Sequence, residues 1–545
     1  MKTFFSVLLI FIISFSLEAQ TIKLKSIARF DKIHDVDGYG LRYDEKTGTY
    51  IYANYDTLRQ KKYNLYSNKG NSGNYDVIED YGVKFDSYGN YFVSASNNIT
   101  DTTYTYFLLK NGKEIANYDY LNSSWTEKNG ILYYVCSEKN KNYLVSYDIS
   151  NEKFTKSKGY DEINLCSYPK VQFEGEPIGE LGFTSDDKPY YIARDNGKTF
   201  LVIGDEEQKH YSDIDMYNVI PDSKGNLVYV AKNGGNFDYF GNAFVVQGVK
   251  EYKSYDRIDN IILNKDEVPV YVGSDSADEG SPQRVVIGDK EASKTYGEGI
   301  YNAGITDDGK LYFIANEKNK MTEAYESFVV FDGKEGKRYP AINNLKILPG
   351  NKIFYITQAA DDKSIIIIGN DEIKTGYSSV LDAKILPDGT LAYVGAIYGN
   401  YDKKEKDKMY VHIGKEKIGP YESVQTIDYV TGEYIKVDDN KNYMYITNYT
   451  DSKDEYITNL ITKTGKSPDF DGIQNPVLYK GKALYIASYI TDKVNYYSKM
   501  RVYFDNKPIS PEYDVINDFN FDDKTGVVSF TTLKGKEFFK VEIQL

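Results

Sequence analysis

The feature that most limits the fold of this chain is a repeat with an aromatic ending. Consecutive endings are separated by 38 to 51 residues, and most are followed by Asp. A period of roughly 40–45 residues with four short strands per unit is typical of the blades of a β-propeller. The twelve endings are Phe30, Tyr75, Tyr118, Tyr160, Tyr211, Tyr255, Tyr296, Tyr339, Tyr377, Tyr421, Phe470 and Tyr513.

The second strand of each unit supports the same period. A run of bulky β-branched or aromatic residues is followed by one small residue, which would let neighbouring sheets approach closely. Cys136 occupies this small position in its unit, so we interpret it as a buried packing residue. The members of the series are Ala53, Cys136, Ala193, Ala231, Gly273, Ala315, Thr357, Gly395, Thr447, Ala487 and Thr531.

The two ends of the chain predict a shared blade. Residues 518–545 provide three strands without a fourth, and residues 22–30 provide a single strand. A blade completed from the opposite terminus removes an exposed sheet edge, so we count twelve blades. Because propellers usually have four to eight blades, we predict two six-bladed rings. Other divisions are a split at 300/301 and a single open or oversized ring.

Two longer steps suggest where the rings divide. Extra residues lie at 164–179 and at 427–434, and six units separate them. We therefore predict one split propeller from residues 20–170 plus 428–545, closed by both termini. Residues 171–427 would form the second propeller.

Composition agrees with an all-β protein. The chain has 55 tyrosines and only 14 prolines, and its formal net charge is −14. Tyrosine favours half-buried strands, and the many Asn-Gly and Asp-Gly pairs favour tight turns. A net acidic chain argues against binding to nucleic acid.

The first 19 residues have the pattern of a secretory signal peptide. Lys2 precedes an apolar run of about 14 residues, which ends before Ala19 and is shorter than the ~20 residues that span a bilayer. No later apolar run is long enough to cross a membrane. We expect an exported, soluble protein, either periplasmic or extracellular.

Several turns carry a resemblance to a known family. The segments Thr-Asp-Asp-Gly-Lys-Leu-Tyr-Phe at 306–313 and Leu-Pro-Asp-Gly-Thr-Leu-Ala-Tyr at 386–393 resemble the blade signature of TolB-like bacterial propellers. About half of the units match clearly. The resemblance implies a fold and no particular activity.

No catalytic, cofactor or metal motif is found in the sequence. Recurring aspartates between the first two strands are interpreted as turn residues, because Asp before Gly, Asn or Lys caps its own turn. His34 and its acidic neighbours, and the turn 438–442, lack the full ligand set of a calcium loop. The two cysteines, Cys136 and Cys166, could form a disulfide in an oxidising compartment. The recurring aspartates are Asp86, Asp187, Asp222, Asp266, Asp308, Asp388, Asp439 and Asp523.

These observations favour a non-catalytic binding or scaffold protein of the bacterial cell envelope, with an envelope protein or glycan as partner. Loops between second and third strands, at 54–62, 275–283 and 396–408, are the predicted contact surfaces. Trp125 and the many tyrosines could provide a platform for sugar rings, with packing between blades as the alternative. An enzyme that acts on glycans or peptides through paired carboxylates is the alternative, and a purely structural repeat protein is a third.

Overall fold

The computed structural model describes residues 22–29, 41–55, 62–79, 82–100, 103–122, 124–166, 181–217, 219–234, 242–276, 278, 281–359, 361–428, 431–492 and 497–545. They form twelve four-stranded antiparallel sheets, the blades of a β-propeller, which confirms the predicted all-β class and blade count. The predicted signal peptide 1–19 and the turn at His34 lie outside the described residues.

The chain divides into two compact units, residues 1–39 with 436–545 and residues 40–435. The proposed division into two six-bladed rings stays a prediction. Below, the strands of each blade are called A to D in the order in which they are hydrogen-bonded. Two short 3-10 turns lie at Pro349–Asn351 and Tyr401–Lys403.

The last blade combines both ends of the chain, as predicted. Strand β1 (Ile22–Arg29) pairs antiparallel with β53 (Glu537–Gln544), and β52 (Val527–Lys534) and β51 (Val515–Asp522) complete the sheet. The register sets Ile22 opposite Ile543. The first strand of the chain therefore serves as strand D of blade 12, and it covers an edge that strand C would otherwise expose.

The first four blades follow in chain order. Blade 1 contains β2 (Leu41–Asp44), β3 (Thr49–Tyr55), β4 (Tyr63–Ser67) and β5 (Ser72–Tyr75). Blade 2 contains β6 (Val77–Ile78), β7 (Lys84–Phe85), β8 (Tyr91–Thr100), β9 (Thr103–Lys110) and β10 (Lys113–Tyr118). Blade 3 contains β11 (Tyr120–Leu121), β12 (Thr126–Lys128), β13 (Ile131–Glu138), β14 (Lys141–Asp148) and β15 (Lys153–Lys156). Blade 4 contains β16 (Glu162–Asn164), β17 (Gly182–Phe183), β18 (Pro189–Asp195), β19 (Lys198–Ile203) and β20 (Glu206–Glu207).

In the next four blades strand D is short. Blade 5 contains β21 (Asp213–Ile214), β22 (Ile220–Pro221), β23 (Leu227–Asn233), β24 (Asn242–Gln247) and β25 (Lys250–Glu251). Blade 6 contains β26 (Arg257–Leu263), β27 (Pro269–Ser274), β28 (Gln283–Ile287) and β29 (Lys290–Glu291). Blade 7 contains β30 (Ile300–Ile305), β31 (Leu311–Lys318), β32 (Tyr325–Phe331) and β33 (Lys334–Glu335). Blade 8 contains β34 (Ile342–Leu348), β35 (Lys352–Gln358), β36 (Ser364–Ile368) and β37 (Asp371–Lys374).

The remaining blades lead to the shared one. Blade 9 contains β38 (Ser379–Ile385), β39 (Leu391–Ile397), β40 (Lys408–Ile413) and β41 (Glu416–Tyr421). Blade 10 contains β42 (Ser423–Gln425), β43 (Lys436–Val437), β44 (Tyr443–Thr450), β45 (Tyr456–Thr462) and β46 (Gly465–Lys466). Blade 11 contains β47 (Gly472–Tyr479), β48 (Lys482–Asp492), β49 (Tyr497–Phe504) and β50 (Lys507–Pro508).

Strand A has two forms. In blades 2, 3, 4, 5 and 10 it is broken into two pieces by inserted residues, and the two inserts recognised in the sequence are among these five. In blades 6, 7, 8, 11 and 12 strand A is continuous with a bulge, and the bulge holds an Asn or Asp in the left-handed region, as at Asn260 (φ 53°). A short polar side chain tolerates this conformation, which is why Asx residues recur there.

The hydrophobic core lies between consecutive blades. One cluster, for example, joins Val245 of blade 5 to Tyr271 of blade 6. The aromatic ending of one blade packs edge-to-face on an aromatic residue of strand B in the next, as for Tyr255 and Tyr271, whose ring centroids are 6.1 Å apart at 71°. The ending also covers the small residue of that strand B. An added Cβ at Gly273 would lie 2.9 Å from the Tyr255 ring, so the small position is a steric requirement, as the sequence indicated.

Charged groups also join successive blades. Lys209 Nζ and Tyr211 Oη both donate to Glu251 Oε1 on strand D of the next blade, at 2.6 and 2.9 Å. We call this arrangement a Lys-Tyr-Glu clasp. The hydrogen bond from Lys209 holds the pKa of Glu251 below its ordinary value. The same Lys–Glu pair recurs at Lys158–Glu207, Lys253–Glu291, Lys294–Glu335 and Lys337–Glu372.

Candidate functional site

One end of each blade carries the hairpin between strands B and C, and we call it the hairpin end. The aromatic-Asp ending of the repeat contacts this hairpin. The Asp that follows the aromatic residue accepts a backbone N–H from the tip of the next B–C hairpin: Asn196 N donates to Asp161 Oδ2 at 2.9 Å, and Lys139 N donates to Asp119 Oδ2 at 2.8 Å. The Tyr-Asp ending therefore fixes the position of the neighbouring hairpin tip, and the side chains beside that tip are held on a rigid support.

The three loops predicted as contact surfaces all connect strand B to strand C. Residues 396–408 lie between β39 and β40, and the loop is braced by Gly399 N, which donates to Asp407 Oδ1 at 2.8 Å. The loop 275–283 is fixed to the strands on either side of it. The Ser281 hydroxyl is 2.8 Å from that of Ser274, and Asp275 forms an ion pair with Arg284. Most of residues 54–62 lie outside the described part of the chain.

Exposed apolar side chains are concentrated at the hairpin ends. Fifteen large hydrophobic residues are exposed in the described part of the chain, and seven of them flank or form B–C hairpins, whereas two, Tyr88 and Val249, lie at the A–B and C–D turns of the opposite ends. Scattered exposed apolar residues need no explanation, but a bias toward one end does. The seven are Ile99, Tyr104, Met321, Tyr325, Ile397, Tyr398 and Tyr456.

Three tyrosines from two blades form a cluster at one of these ends. Tyr104 and Tyr106 lie on β9 of blade 2, and Tyr120 lies on β11 of blade 3. The Tyr104 and Tyr106 ring centroids are 6.3 Å apart at 45°, and those of Tyr106 and Tyr120 are 5.3 Å apart at 70°. Tyr104 is 40% exposed and Tyr120 is 48% exposed. Burial raises the pKa of Tyr106, with smaller contributions from Tyr120 and Glu79.

Polar groups of blade 2 share the sheet face that carries this tyrosine cluster. Ser96 is the cross-strand partner of Tyr106, and Ser94, two residues before it, therefore points to the same side. Ser94 is 1% exposed, and its Oγ has no hydrogen-bond partner among the described residues. Glu79 N donates to Ser94 O at 2.9 Å, so the Glu79 backbone lies beside β8, and its negative charge contributes to the raised pKa of Tyr106. Sequence reasoning missed this cluster, since its members come from two repeats.

Carboxylates give little support to acid–base chemistry. Asp213, on β21, is the described carboxylate whose pKa is raised, and burial is the main cause. Its carboxylate accepts a hydrogen bond from Ile214 N at 2.9 Å. No three His, Cys, Asp or Glu side chains of the described residues come together as a metal site requires. No described helix is long and apolar enough to span a bilayer.

The recurring aspartates between strands A and B are turn residues, as interpreted from the sequence. Asp222 Oδ1 accepts from Lys224 N and Asn226 N, at 3.0 and 2.8 Å. In some blades the capping residue is earlier than predicted. Asn264, not Asp266, caps its turn, and Asp438, not Asp439, caps the turn at 438–442. An Asx side chain caps N–H groups two to four residues ahead, so the first residue of the turn does the capping.

Both cysteines are buried free thiols. Cys136 packs between blades 2 and 3, as interpreted, and Cys166 packs between blades 4 and 5. Burial raises the pKa of each thiol to about 12. The structure shows no bond between Cys136 and Cys166, and their disulfide stays a prediction.

Trp125 does not provide a sugar platform. It is 4% exposed, and its Nε1 donates to Asn122 O at 2.7 Å within the insert of strand A. The insert folds the indole against Tyr134 in the core, so the ring serves packing.

No protein-family model matches the sequence, and the comparison with curated proteins finds no match. Among solved structures, a eukaryotic initiation factor aligns with a TM-score of 0.32 and 9% identity over 76% of this chain and 98% of its own. The β-propeller domain of the Trilobed protease from Pyrococcus furiosus aligns with a TM-score of 0.24 and 11% identity, covering 64% of this chain and 94% of its own. An oligogalacturonate lyase in complex with manganese aligns with a TM-score of 0.24 and 12% identity, covering 61% and 96%. Similarity this low carries no information on activity.

Proposed function

We propose that this protein is an exported, non-catalytic binding or scaffold protein of the bacterial cell envelope, related to TolB-like propellers, which contacts its partner through the hairpin ends of its blades. The observation that carries the proposal is the concentration of exposed apolar and aromatic side chains at those ends. Large aromatic side chains supply much of the energy of protein interfaces because they bury a large area at a small entropic cost.

The support beneath these side chains suits a binding surface. Where the ending carries Asp, that Asp holds the neighbouring hairpin through a backbone hydrogen bond, as Asp76 does with Asn98 N, whose cross-strand partner is the exposed Tyr104. A rigid, exposed anchor loses little freedom when a partner covers it. The signal-peptide pattern of residues 1–19 supports the assignment to the envelope.

The proposal is tested with one variant at the hairpin ends and one control variant at the opposite ends. In the hairpin variant, Met321, Tyr325, Ile397 and Tyr398 are each replaced by Ser. In the control, Tyr88 and Val249, which are 67% and 101% exposed at the opposite ends, are replaced by Ser. Each protein is expressed with its own leader in the native host, crosslinked and purified from the envelope fraction.

We expect the crosslinked partners of the wild type to be retained by the control and lost from the hairpin variant. Identical partners for all three proteins would contradict the proposal, as would recovery of the wild type from the cytosol. An enzyme would instead show turnover of glycans or peptides. The substitution Asp213→Asn would abolish that turnover if the buried carboxyl acted as its acid.

A further inference from the structure

The junction of blades 8 and 9 departs from the pattern that joins the five blades before it. In blades 4 to 8, a Val or Ile on strand C is the cross-strand partner of the clasp Glu on strand D. In blade 9 the same two positions hold His412 and Lys417. The Lys of the clasp is also replaced, since Thr375 stands two residues before Tyr377. The five regular pairs are Val202–Glu207, Val246–Glu251, Val286–Glu291, Val330–Glu335 and Ile367–Glu372.

The imidazole of His412 takes the place of the clasp carboxylate. In the regular junctions the tyrosine hydroxyl donates to the Glu, as it does for Tyr211 and Tyr339 at 2.9 Å. The hydroxyl of Tyr377 is instead 2.7 Å from His412 Nε2. The imidazole stacks on Tyr393 with ring centroids 4.4 Å apart at 2°, and it meets the Tyr377 ring at 5.5 Å and 69°. His412 therefore forms a polar contact between the ending of blade 8 and the strands of blade 9.

The charge beside this imidazole is positive. Lys417 Nζ lies over the rings of Tyr410 and Tyr377, 4.1 and 5.5 Å from their centroids. Burial, with a smaller contribution from Lys417, lowers the pKa of His412 below its ordinary value of 6.5. The other titratable groups on the elements around the imidazole are Tyr377, Tyr393, Tyr410, Asp371 of the facing strand β37 and Lys415 of the C–D turn.

Histidine makes this junction respond to pH in a range where the regular junctions do not. A protonated imidazole has a donor at both nitrogens, so Nε2 can no longer accept the proton of the Tyr377 hydroxyl. The same proton places a second positive charge beside Lys417, in a half-buried site. The Glu carboxylates of the other clasps take up protons only near about pH 4, so they keep their charge while an imidazole titrates.

We propose that the blade 8–9 junction is acid-sensitive: neutral His412 holds the Tyr377 ending against blade 9, and protonation of the imidazole releases it. In the released state the imidazole regains water, so it binds a proton more readily there than in the closed junction. The closed junction is therefore fully stable above about pH 6.5. Its stability falls as the pH decreases from that value through the folded-state pKa of His412.

The junction is connected to the hairpin end of blade 9. The Tyr377 ring covers Gly395 on β39, where an added Cβ would lie 2.4 Å from the ring. The same strand ends at the exposed Ile397, beside the exposed Tyr398. Release of Tyr377 would loosen this strand end and weaken a partner's contact with it. That consequence rests on the proposed function, whereas the acid-sensitive junction does not.

The test is native-state hydrogen exchange of the full-length chain without a partner, measured by mass spectrometry between about pH 7.5 and about pH 5.5. Rates are divided by those of the unfolded chain at each pH, which gives a protection factor. Peptides from residues 391–413 report on blade 9, and peptides from residues 269–287 report on the regular junction of blade 6.

Three variants accompany the wild type. His412→Val gives blade 9 the strand C residue of the regular junctions, and Lys417→Glu gives it their strand D residue. His210→Val is the matched control, because His210 is the other histidine among the described residues and its side chain is 45% exposed beside Glu207.

We expect the protection of the blade 9 peptides to fall by roughly three- to tenfold between about pH 6.5 and about pH 5.5, since one proton changes the opening equilibrium by at most tenfold per pH unit. His210→Val should show the same fall. His412→Val should remove it, to within about twofold, and Lys417→Glu should reduce it, because a carboxylate stabilises the protonated imidazole. Blade 6 peptides should change by less than about twofold in every protein.

The inference is overturned if wild-type blade 9 is equally protected at both pH values, if blade 6 loses as much protection, or if the fall persists in His412→Val. Should His412→Val fail to fold, a fall in Lys417→Glu as large as in wild type would overturn it. Because no partner is present, these outcomes are independent of the crosslinking result that tests the proposed function.

Discussion

The close approach of Tyr377 to Gly395 gives the sharpest stability prediction. Tyr377 ends blade 8, and Gly395 is the small residue on strand B of blade 9. A Cβ added to Gly395 would lie 2.4 to 2.7 Å from three ring atoms of Tyr377, whereas ordinary contacts are 3.4–4 Å. The substitution Gly395→Ala therefore requires the ring to move by about 1 Å.

Tyr377 has little room for this movement. Its side chain is buried, its ring centroid is 5.6 Å from that of Tyr410, and its hydroxyl is 2.7 Å from His412 Nε2. Overpacking of this kind costs about 1–3 kcal/mol. Replacing Gly by Ala also restricts the unfolded chain, which stabilises the protein by about 0.4–1 kcal/mol. We expect a net destabilisation of about 1–2 kcal/mol, since the steric cost is the larger.

The assay is urea unfolding followed by far-UV circular dichroism, with the midpoint and slope compared among variants. Gly297→Ala is the control, because no described atom lies within 4 Å of its added Cβ, and it should stabilise by about 0.4–1 kcal/mol. In the double variant with Tyr377→Leu, the two changes should be less than additive by about 1 kcal/mol. A Gly395→Ala protein as stable as wild type, or additive changes in the double variant, would refute the steric argument.

Three further predictions concern named contacts. In the clasp, the folded-state pKa of Glu251 lies below its ordinary value of 4.5, so its stabilisation is complete above that pH and is lost as the pH falls through the folded pKa. Glu251→Gln should therefore lower stability by about 0.2–1 kcal/mol at pH 7, and the difference from wild type should shrink in urea titrations below about pH 4.5. Because burial raises the thiol pKa of Cys136 and Cys166 to about 12, iodoacetamide should label both only after unfolding, and failure to label them without a reductant would indicate a disulfide. Trp125, the single tryptophan, should be protected from acrylamide quenching until the protein unfolds, and strong quenching of the native protein would contradict its burial.

Much of the fold could be predicted from the sequence because its signals are local. The alternation of strand residues, the turn residues and the aromatic ending repeat within one blade, and they are sufficient to count twelve blades. The missing fourth strand of the last unit and the extra first strand were visible for the same reason. The small residue of strand B could also be predicted from the sequence. The reason for it is visible only in the structure, because the ring that covers Gly273 is that of Tyr255 in the preceding blade.

Only the tertiary structure shows which side chains of adjacent blades contact each other and which of them are buried. Sequence patterns could not bring Tyr106 and Tyr120 together, since this contact depends on how two sheets stack. They also left Trp125 as a candidate platform, whereas the insert of strand A folds the indole into the core. Periodicity within a strand assigns each side chain to one side of its own sheet, but only the packing of the adjacent sheet determines whether that side is buried or open to a ligand.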